Sequence, residues 1–167
     1  VFRGSEDDVL DRYYHAAKKY RSDIVVRITG DCPIIDPKVV DGVVECFINN
    51  DVDYASNVEP PTYPDGLDVE AFSFSALEHA HANATSVFDR EHVTPFIRDR
   101  GNFKKKNLAY STNVSKERWT VDTVQDFEVV QNICRHFSPN LDFNLEDVLS
   151  LRENKPILFD ANLGTKR

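Results

Sequence analysis

The sequence predicts an α/β domain in which helices cover both faces of a largely parallel sheet. Predicted helices and strands alternate over residues 5–49, and parallel strands require such crossover helices. The run 24–28 is almost continuously apolar and β-branched, which is typical of a strand buried on both faces. A length of 167 residues suits one domain with a substantial core.

Composition narrows the class of protein further. A formal net charge of −8 argues against a general nucleic-acid binder, which normally carries a basic face. No apolar run approaches the roughly 20 residues that span a bilayer, so no membrane partner is expected. The three cysteines are widely spaced and odd in number, which favours reduced thiols and a cytoplasmic location.

The first elements follow from capping signals. Ser5 is expected to cap a helix that ends near Tyr20, with acidic residues in its first turn. A strand follows at 24–29. Asp36 before Pro37 then opens a second helix, because this order of cap and proline is preferred at helix starts.

From Val52 the pattern changes, because a proline-rich loop and not a helix follows the next strand. Strands are expected at 52–56, 67–71, 107–111 and 117–122, and helices at 75–84, 89–97, 123–137 and 144–153. Pro95 has to kink or restart its helix, since it cannot donate a backbone hydrogen bond. The tail from Pro156 lacks periodicity and is expected to form an arm or to lack order. We expect a single domain over 1–167, with 53–116 as an insertion-like β/α part.

Two aspartates at predicted strand ends are candidate ligands. Asp31 follows Gly30, and ligands in open α/β sheets lie beyond the carboxyl ends of strands, although a Gly-Asp pair also suits a simple turn. Asp122 ends the strand at 117–122, although with Thr123 it also suits a helix start. Two such carboxylates meet the preference of Mg²⁺ for oxygen.

Two other features leave alternatives open, and the histidines give a separate prediction. Cys32 is either a nucleophile beside Asp31 or a small buried residue. Asp68 and Glu70 share one face of an alternating segment, so they belong either to a solvated edge strand or to a pocket for a hydroxyl-rich ligand. The histidines show no i,i+4 His pair, so no metal set is predicted for His79, His81 and His92.

Four motifs in order resemble the spore coat polysaccharide biosynthesis protein F group, a branch of the cytidylyltransferases that activate sialic-acid-like and KDO-like sugars. These motifs are Arg27-Ile-Thr-Gly-Asp-Cys-Pro-Ile-Ile-Asp36-Pro37, Gly66-Leu-Asp-Val-Glu-Ala-Phe72, Arg90-Glu-His-Val-Thr-Pro95 and Arg118-Trp-Thr-Val-Asp-Thr123. The resemblance implies a Rossmann-like three-layer α/β/α sandwich of the nucleotide-diphospho-sugar transferase type.

The resemblance also implies a reaction in which CTP and a sugar or sugar acid give a CMP-sugar and pyrophosphate. It assigns Mg²⁺ to Asp31 and Asp122. Arg118, Arg27 and Gly30 are expected near the phosphates, where guanidinium groups suit oxyanions.

The sugar side is expected to involve Asp68, Glu70, Arg90 and His92. Arg90 either pairs with a sugar-acid carboxylate or forms a helix-start salt bridge with Asp89. Related enzymes are commonly homodimers, and the contact is expected within 53–116.

The sequence departs from the family at its start. The family's nucleotide-gripping loop, with a pattern like A-R-x-x-S-x-R-L-P-x-K, has no counterpart here. The fold is therefore expected to be incomplete at the N-terminus, and the 167-residue chain alone is expected not to turn over CTP. Two alternatives are a nucleotidyltransferase for another nucleotide or sugar, and a catalytically idle binding or dimerisation module.

Overall fold

A computed structural model describes residues 1–165 and confirms the α/β class. Helices α1 to α6 span Val9–Tyr20, Pro37–Asn49, Phe74–Asn83, Val87–His92, Val124–Phe137 and Leu145–Asn154. Strands β1 to β4 span Ile24–Arg27, Tyr54–Ser56, Glu70–Ser73 and Lys105–Asn107. A π-helical turn covers Phe96–Arg100, and a 3₁₀ helix covers Pro156–Asn162.

The described chain divides into two compact units, each assembled from separate stretches of sequence. The sheet unit comprises Val1–Arg27, Val43–Ser56 and Glu70–Leu108. The loop unit comprises Ile28–Gly42, Asn57–Val69 and the chain from Ala109 onward. The predicted insertion-like part at 53–116 is thus shared between the two units, and its sugar-binding and dimerisation roles stay predictions.

The sheet unit holds a mixed four-stranded sheet in the order β1-β3-β2-β4. β3 runs antiparallel to both of its neighbours, whereas β2 and β4 are parallel. The parallel pairing expected from the alternation over residues 5–49 therefore does not extend to β3. The physical reason is the connection from β2 to β3, which contains no helix in 57–69, and consecutive strands without a crossover helix pair antiparallel. β1 and β2 still point the same way, as predicted, because both oppose β3.

The expected burial of the first strand on both faces was also wrong. β1 lies at an edge of the described sheet, and Ile24 and Val26 are each 39% exposed. Strand β3 takes the central place instead, so the solvated edge strand considered for Glu70 is excluded.

The core of the sheet unit lies between the helices and the central strands. Leu10, Tyr14 and Ala17 of α1 pack in one cluster with Leu77 of α3 and Phe72 of β3. Leu10, Tyr14 and Ala17 recur at helical spacing in α1, so burial of this apolar face packs the helix against the sheet.

Helix starts confirm some capping predictions and correct others. Thr123 and Asn144 cap α5 and α6 as predicted, each in a capping box. The first helix begins at Val9 with Asp8 as its cap, since the Asp8 carboxylate accepts a hydrogen bond from Asp11 N. Ser5 instead accepts a hydrogen bond from Asp8 N, so the predicted cap was three residues early.

The predicted break around Pro95 is confirmed, and it contains a strained backbone. Helix α4 ends at His92, and a π-helical turn begins at Phe96. Between them, Val93 has φ of 70° and ψ of −57°, and Thr94 N donates to His92 O at 2.8 Å. This is a γ-turn at a β-branched residue, a conformation that proteins seldom adopt.

The loop unit has its own core, built from α5, α6 and the 3₁₀ helix. Phe159 and Asn162 of the 3₁₀ helix are buried, so the prediction of an arm or an unordered tail was wrong for 156–162. A helix this short needs no periodic apolar pattern in its sequence, because two buried side chains are enough to pack it against α5 and α6. None of the helices in residues 1–165 combines the length and the apolarity needed to cross a bilayer.

Candidate functional site

Three loop segments of the loop unit meet through main-chain hydrogen bonds. Val121 N donates to Asp31 O at 2.9 Å, and Thr120 Oγ1 donates to the same carbonyl at 3.1 Å. Asp65 O accepts from Trp119 N at 2.7 Å. The stretch 117–122, predicted as a strand, makes one parallel bridge, between Asp65 and Arg118. Three of the four sequence motifs thus converge in one place.

Gly66 is the residue that permits this convergence. Its φ is +104°, and a Cβ at this position would lie 2.5 Å from Thr120 N and 2.6 Å from Trp119 C. Both of these atoms belong to the main chain, so no side-chain rotation can relieve the clash. Only glycine combines this dihedral angle with so close an approach.

The segments of Asp31 and Asp122 are brought together, as the strand-end argument expected. Asp31 is half-buried, and the Asp122 side chain is 53% exposed. Asp122 Oδ2 accepts from Arg118 Nη2 at 2.6 Å, which leaves Oδ1 for another ligand. The metal role of both aspartates stays a prediction.

Arg118 is the centre of a carboxylate cluster. Its guanidinium is 9% exposed and donates to Asp65 at 2.6 Å, to Asp122 at 2.6 Å and to Asp126 at 2.9 and 3.0 Å. Such short charge-assisted bonds fix the position of every partner. The guanidinium expected near phosphates is therefore already engaged by three carboxylates, and its predicted role in catalysis and phosphate binding stays a prediction.

Asp126 anchors the cluster from inside. Its side chain is fully buried, and it accepts hydrogen bonds from Arg118, Asn162 and Thr123. Burial alone would raise the pKa of this carboxyl, but the hydrogen bonds from these three residues hold the pKa of Asp126 well below its usual range. Asp126 therefore carries a negative charge at every physiological pH.

Cys32 lies beside the site but is not an activated thiol. It is buried, and burial is the main cause that raises its pKa to about 11; the hydrogen bond with Thr29 opposes this rise, and the nearby carboxylates of Asp31 and Asp68 add to it. A thiol with this pKa stays protonated near neutrality, so it is a poor nucleophile. The structure favours the small buried residue among the two interpretations. The structure also places the Asp68 carboxylate close enough to the Cys32 thiol to raise its pKa.

Gly30 is exposed, and an added Cβ would meet nothing within 4 Å. It also lacks the positive φ of Gly66, so the fold does not require a glycine here. Its place near phosphates, implied by the family resemblance, stays a prediction.

Arg27 and Glu70, assigned to different ligands from the sequence, pair with each other in the sheet unit. Arg27 Nη1 lies 2.6 Å from Glu70 Oε2, and Tyr54 OH donates to Glu70 Oε1 at 2.6 Å. Glu70 is buried, and both of its oxygens are engaged. These contacts hold the two side chains within the unit, and their ligand roles stay predictions.

Arg90 and His92 also lie in the sheet unit. Arg90 binds both oxygens of Asp8, with Nη2 to Oδ2 at 2.6 Å, so its salt-bridge partner is Asp8 rather than the expected Asp89. Asp89 pairs instead with Arg100. His92 is exposed and packs its ring 4.5 Å from that of Phe88.

Sequence reasoning missed Asp65, Asp126 and Asn162 as parts of the site. Asp126 was visible only as the third residue of a capping box. Asp65 directly precedes Gly66, the first residue of one of the four motifs. A glycine that starts a motif can mark a close approach between two backbones, and this was the available signal for Asp65. Asn162 carried no signal, because its partner Asp126 lies 36 residues earlier.

Two carboxylates of the site, those of Asp31 and Asp122, could hold a hard divalent cation, and this role stays a prediction. Mg²⁺ is held by one or two carboxylates together with substrate phosphates and water. Asp31 and Asp122 supply that number, and the Asp31 carbonyl accepts a hydrogen bond from Val121 N, next to Asp122. No imidazole or activated thiol competes among the described residues around them.

The α/β fold and the carboxylates of this site fit a nucleotidyltransferase, and comparison with known proteins shows the class. A sequence model of the cytidylyltransferase family matches residues 1–161. The chain belongs to the cytidylyltransferase family, whose members transfer a cytidylyl group, and the resemblance noted from the motifs is confirmed.

Relatives and a solved structure agree with this family. An uncharacterized protein of Methanocaldococcus jannaschii is 37% identical over 170 residues, which cover 100% of this chain and 68% of the relative. The spore coat polysaccharide biosynthesis protein SpsF of Bacillus subtilis is 25% identical over 160 residues, which cover 93% of this chain and 65% of SpsF. The chain thus spans about two thirds of the length of these relatives.

A solved cytidylyltransferase from Leptospira borgpetersenii is 33% identical and superposes with a TM-score of 0.92. The alignment covers 100% of this chain and 71% of that structure. This likeness extends the α/β assignment to the nucleotide-sugar transferase type.

Proposed function

We propose that this protein forms part of an enzyme that transfers CMP from CTP to a sugar or sugar acid for surface polysaccharide synthesis. The observation that carries the proposal is the pair of hydrogen bonds from Val121 and Thr120 to the carbonyl of Asp31. They bring two carboxylate-bearing segments of the family motifs to one place. In the reaction, a sugar hydroxyl oxygen bonds to the α-phosphorus of CTP, and the bond to the leaving pyrophosphate breaks.

The charge of the site supports a divalent cation as cofactor. Asp31, Asp68 and Asp122 bring negative charge, and Arg118 is already engaged by aspartates. A triphosphate would be repelled by this set unless a cation came with it. Mg²⁺ held by Asp31 and Asp122 would supply charge neutralisation for the phosphate oxygens.

The chain's own residues orient this pair of ligands. Arg118 holds one oxygen of Asp122, and Asp126 holds Arg118 from the buried side. Preorganised groups of this kind lower the reorganisation needed at the moment of phosphoryl transfer. We also propose the homodimer and the cytoplasmic location as parts of this function.

The test is a Mg²⁺-dependent pyrophosphate-release assay with CTP and a panel of sugar acids. It is run on the 167-residue chain and on the product of its full reading frame, and we expect turnover only from a product that carries a nucleotide-gripping loop. Asp31→Asn and Asp122→Asn should each lower turnover by at least 100-fold, because the cation loses a ligand. Asp142→Asn, an exposed aspartate of the same unit, is the matched control and should keep full activity.

Two outcomes separate this proposal from the binding-module alternative. An idle module gives no pyrophosphate from any form of the protein and retains its partner in both asparagine variants. Full activity in Asp31→Asn and Asp122→Asn would instead reject the metal assignment while leaving the enzyme class intact.

A further inference from the structure

We propose that Asp11, His15 and His81 form a binding site for a divalent transition metal, tested here as Zn²⁺. The three side chains lie in the sheet unit and involve none of the residues of the proposed active site. The inference therefore stands or falls independently of the proposed cytidylyl transfer.

The donor atoms already lie close to the geometry of a metal site. His15 Nε2 is 3.3 Å from Asp11 Oδ1, and His81 Nε2 is 2.9 Å from the same oxygen. One ligand atom from each residue lies within 4.8 Å of the other two. Metal–ligand bonds of about 2.0–2.2 Å in a tetrahedral site place donor atoms roughly 3.3 Å apart, so the adjustment needed is small.

The helices supply these ligands at fixed positions. Asp11 and His15 stand four residues apart on α1, a spacing that places both on one face. His81 comes from α3, which packs against α1. The i,i+4 pair of aspartate and histidine is visible in the sequence, although a pattern of His-His pairs does not include it.

Neighbouring contacts hold His81 in place. Its ring stacks on that of Tyr14, with centroids 4.1 Å apart and planes 13° apart. Its carbonyl accepts from Arg90 Nη1 at 2.8 Å. The charge of Arg90 is matched by Asp8, so this arginine does not oppose a cation at the cluster.

The ligand types select the metal. Two imidazoles and one carboxylate suit Zn²⁺, Cu²⁺, Ni²⁺ or Co²⁺, whereas Mg²⁺ prefers oxygen alone. The side chains are 35%, 53% and 25% exposed for Asp11, His15 and His81, so a metal can enter and keep a water as its fourth ligand. A metal bound here would join α1 to α3.

The experiment titrates the 167-residue chain with Zn²⁺ in competition with a chromophoric chelator. We expect one Zn²⁺ per chain and at least tenfold weaker binding in His15→Ala, a variant that removes an exposed side chain. His79→Ala is the matched control, because His79 lies on α3 with His81 but packs near Phe96 and Phe103 instead of the cluster. It should bind Zn²⁺ as tightly as the unaltered chain.

Two further readouts test the ligands directly. Bound Co²⁺ should show the visible bands of a nitrogen and oxygen site, without the near-ultraviolet thiolate band that cysteine ligation produces. Zn²⁺ should raise the melting temperature of the unaltered chain and of His79→Ala, but not that of His15→Ala or Asp11→Asn. Equal affinity in His15→Ala and the unaltered chain, or a thiolate band, overturns the proposal.

Discussion

The main chain of Gly66 passes so close to Thr120 that a methyl group on Gly66 would lie 2.5 Å from the Thr120 nitrogen. This contact holds the 63–68 loop against the segment that ends in Asp122. The position of Asp65 beside Arg118 depends on it, and so does the carboxylate cluster around that arginine.

Three glycines provide a matched series that separates dihedral strain from steric conflict. Gly66→Ala should destabilise the fold by about 3–5 kcal/mol, because it adds both a positive φ and a backbone clash. Gly164→Ala has the positive φ in open space and should cost about 1 kcal/mol. Gly30→Ala has neither problem and should change stability by less than about 1 kcal/mol. Urea denaturation measures all three, and equal costs at 66 and 164 would show that the clash is relieved.

Removal of the arginine at the centre of the carboxylate cluster should be severe. Arg118→Met leaves buried Asp126 without its main counter-charge, and such losses cost about 3–5 kcal/mol. Arg152→Met is the control, since its partner Glu117 is partly exposed and the expected cost is about 1 kcal/mol. Chemical denaturation of both variants checks the difference. Similar stability losses would mean that the cluster contributes no more than a surface pair.

The buried carboxylate should govern part of the acid unfolding. Because the folded pKa of Asp126 is depressed, its contribution to stability is complete above the unfolded pKa of about 3.9 and declines as the pH falls below that value. Asp126→Asn should therefore be less stable at neutral pH and show a flatter loss of stability between about pH 4 and pH 2. Asp142→Asn should keep the original slope. Urea midpoints measured across this pH range test the expectation, and an unchanged slope in Asp126→Asn contradicts it.

The raised pKa of Cys32 predicts slow alkylation. At pH 8 a thiol of pKa about 11 carries roughly a hundredfold less thiolate than an unfolded cysteine, and burial slows the reaction further. Iodoacetamide labelling, followed by mass spectrometry of the Cys32 peptide in buffer and in urea, measures the ratio. Equal rates in the two solvents would restore the nucleophile interpretation. Cys32→Ala should retain pyrophosphate release in the assay proposed above.

Periodicity and capping were sufficient to predict the class of fold and most helices. Thr123 and Asn144 were predictable because a cap and its partner lie three residues apart. The direction of β3 follows from the helix-free connection at 57–69, but its central place in the sheet was not predictable, because no local signal distinguishes a central antiparallel strand from an edge strand with a solvated face. The exposure of Val26 was missed for the same reason, since burial depends on neighbours that composition does not reveal.

The convergence of the Asp31 and Asp122 segments was predictable, whereas the residues that hold Asp122 in place were not. Asp31 and Asp122 follow predicted strands, so their chemistry could be inferred from position. The partners of Arg118 lie up to 53 residues away in sequence, and pairs at that distance leave no periodic trace. The family motifs indicate the class of chemistry, whereas only the structure shows that the Arg118 guanidinium already binds three carboxylates.

The carbonyl of Asp31, rather than its carboxylate, accepts the hydrogen bonds from Val121 and Thr120. These two hydrogen bonds therefore do not depend on the Asp31 carboxylate. Loss of the carboxylate in Asp31→Asn should leave the backbone of the site in place, so that variant separates the chemistry of position 31 from its architecture.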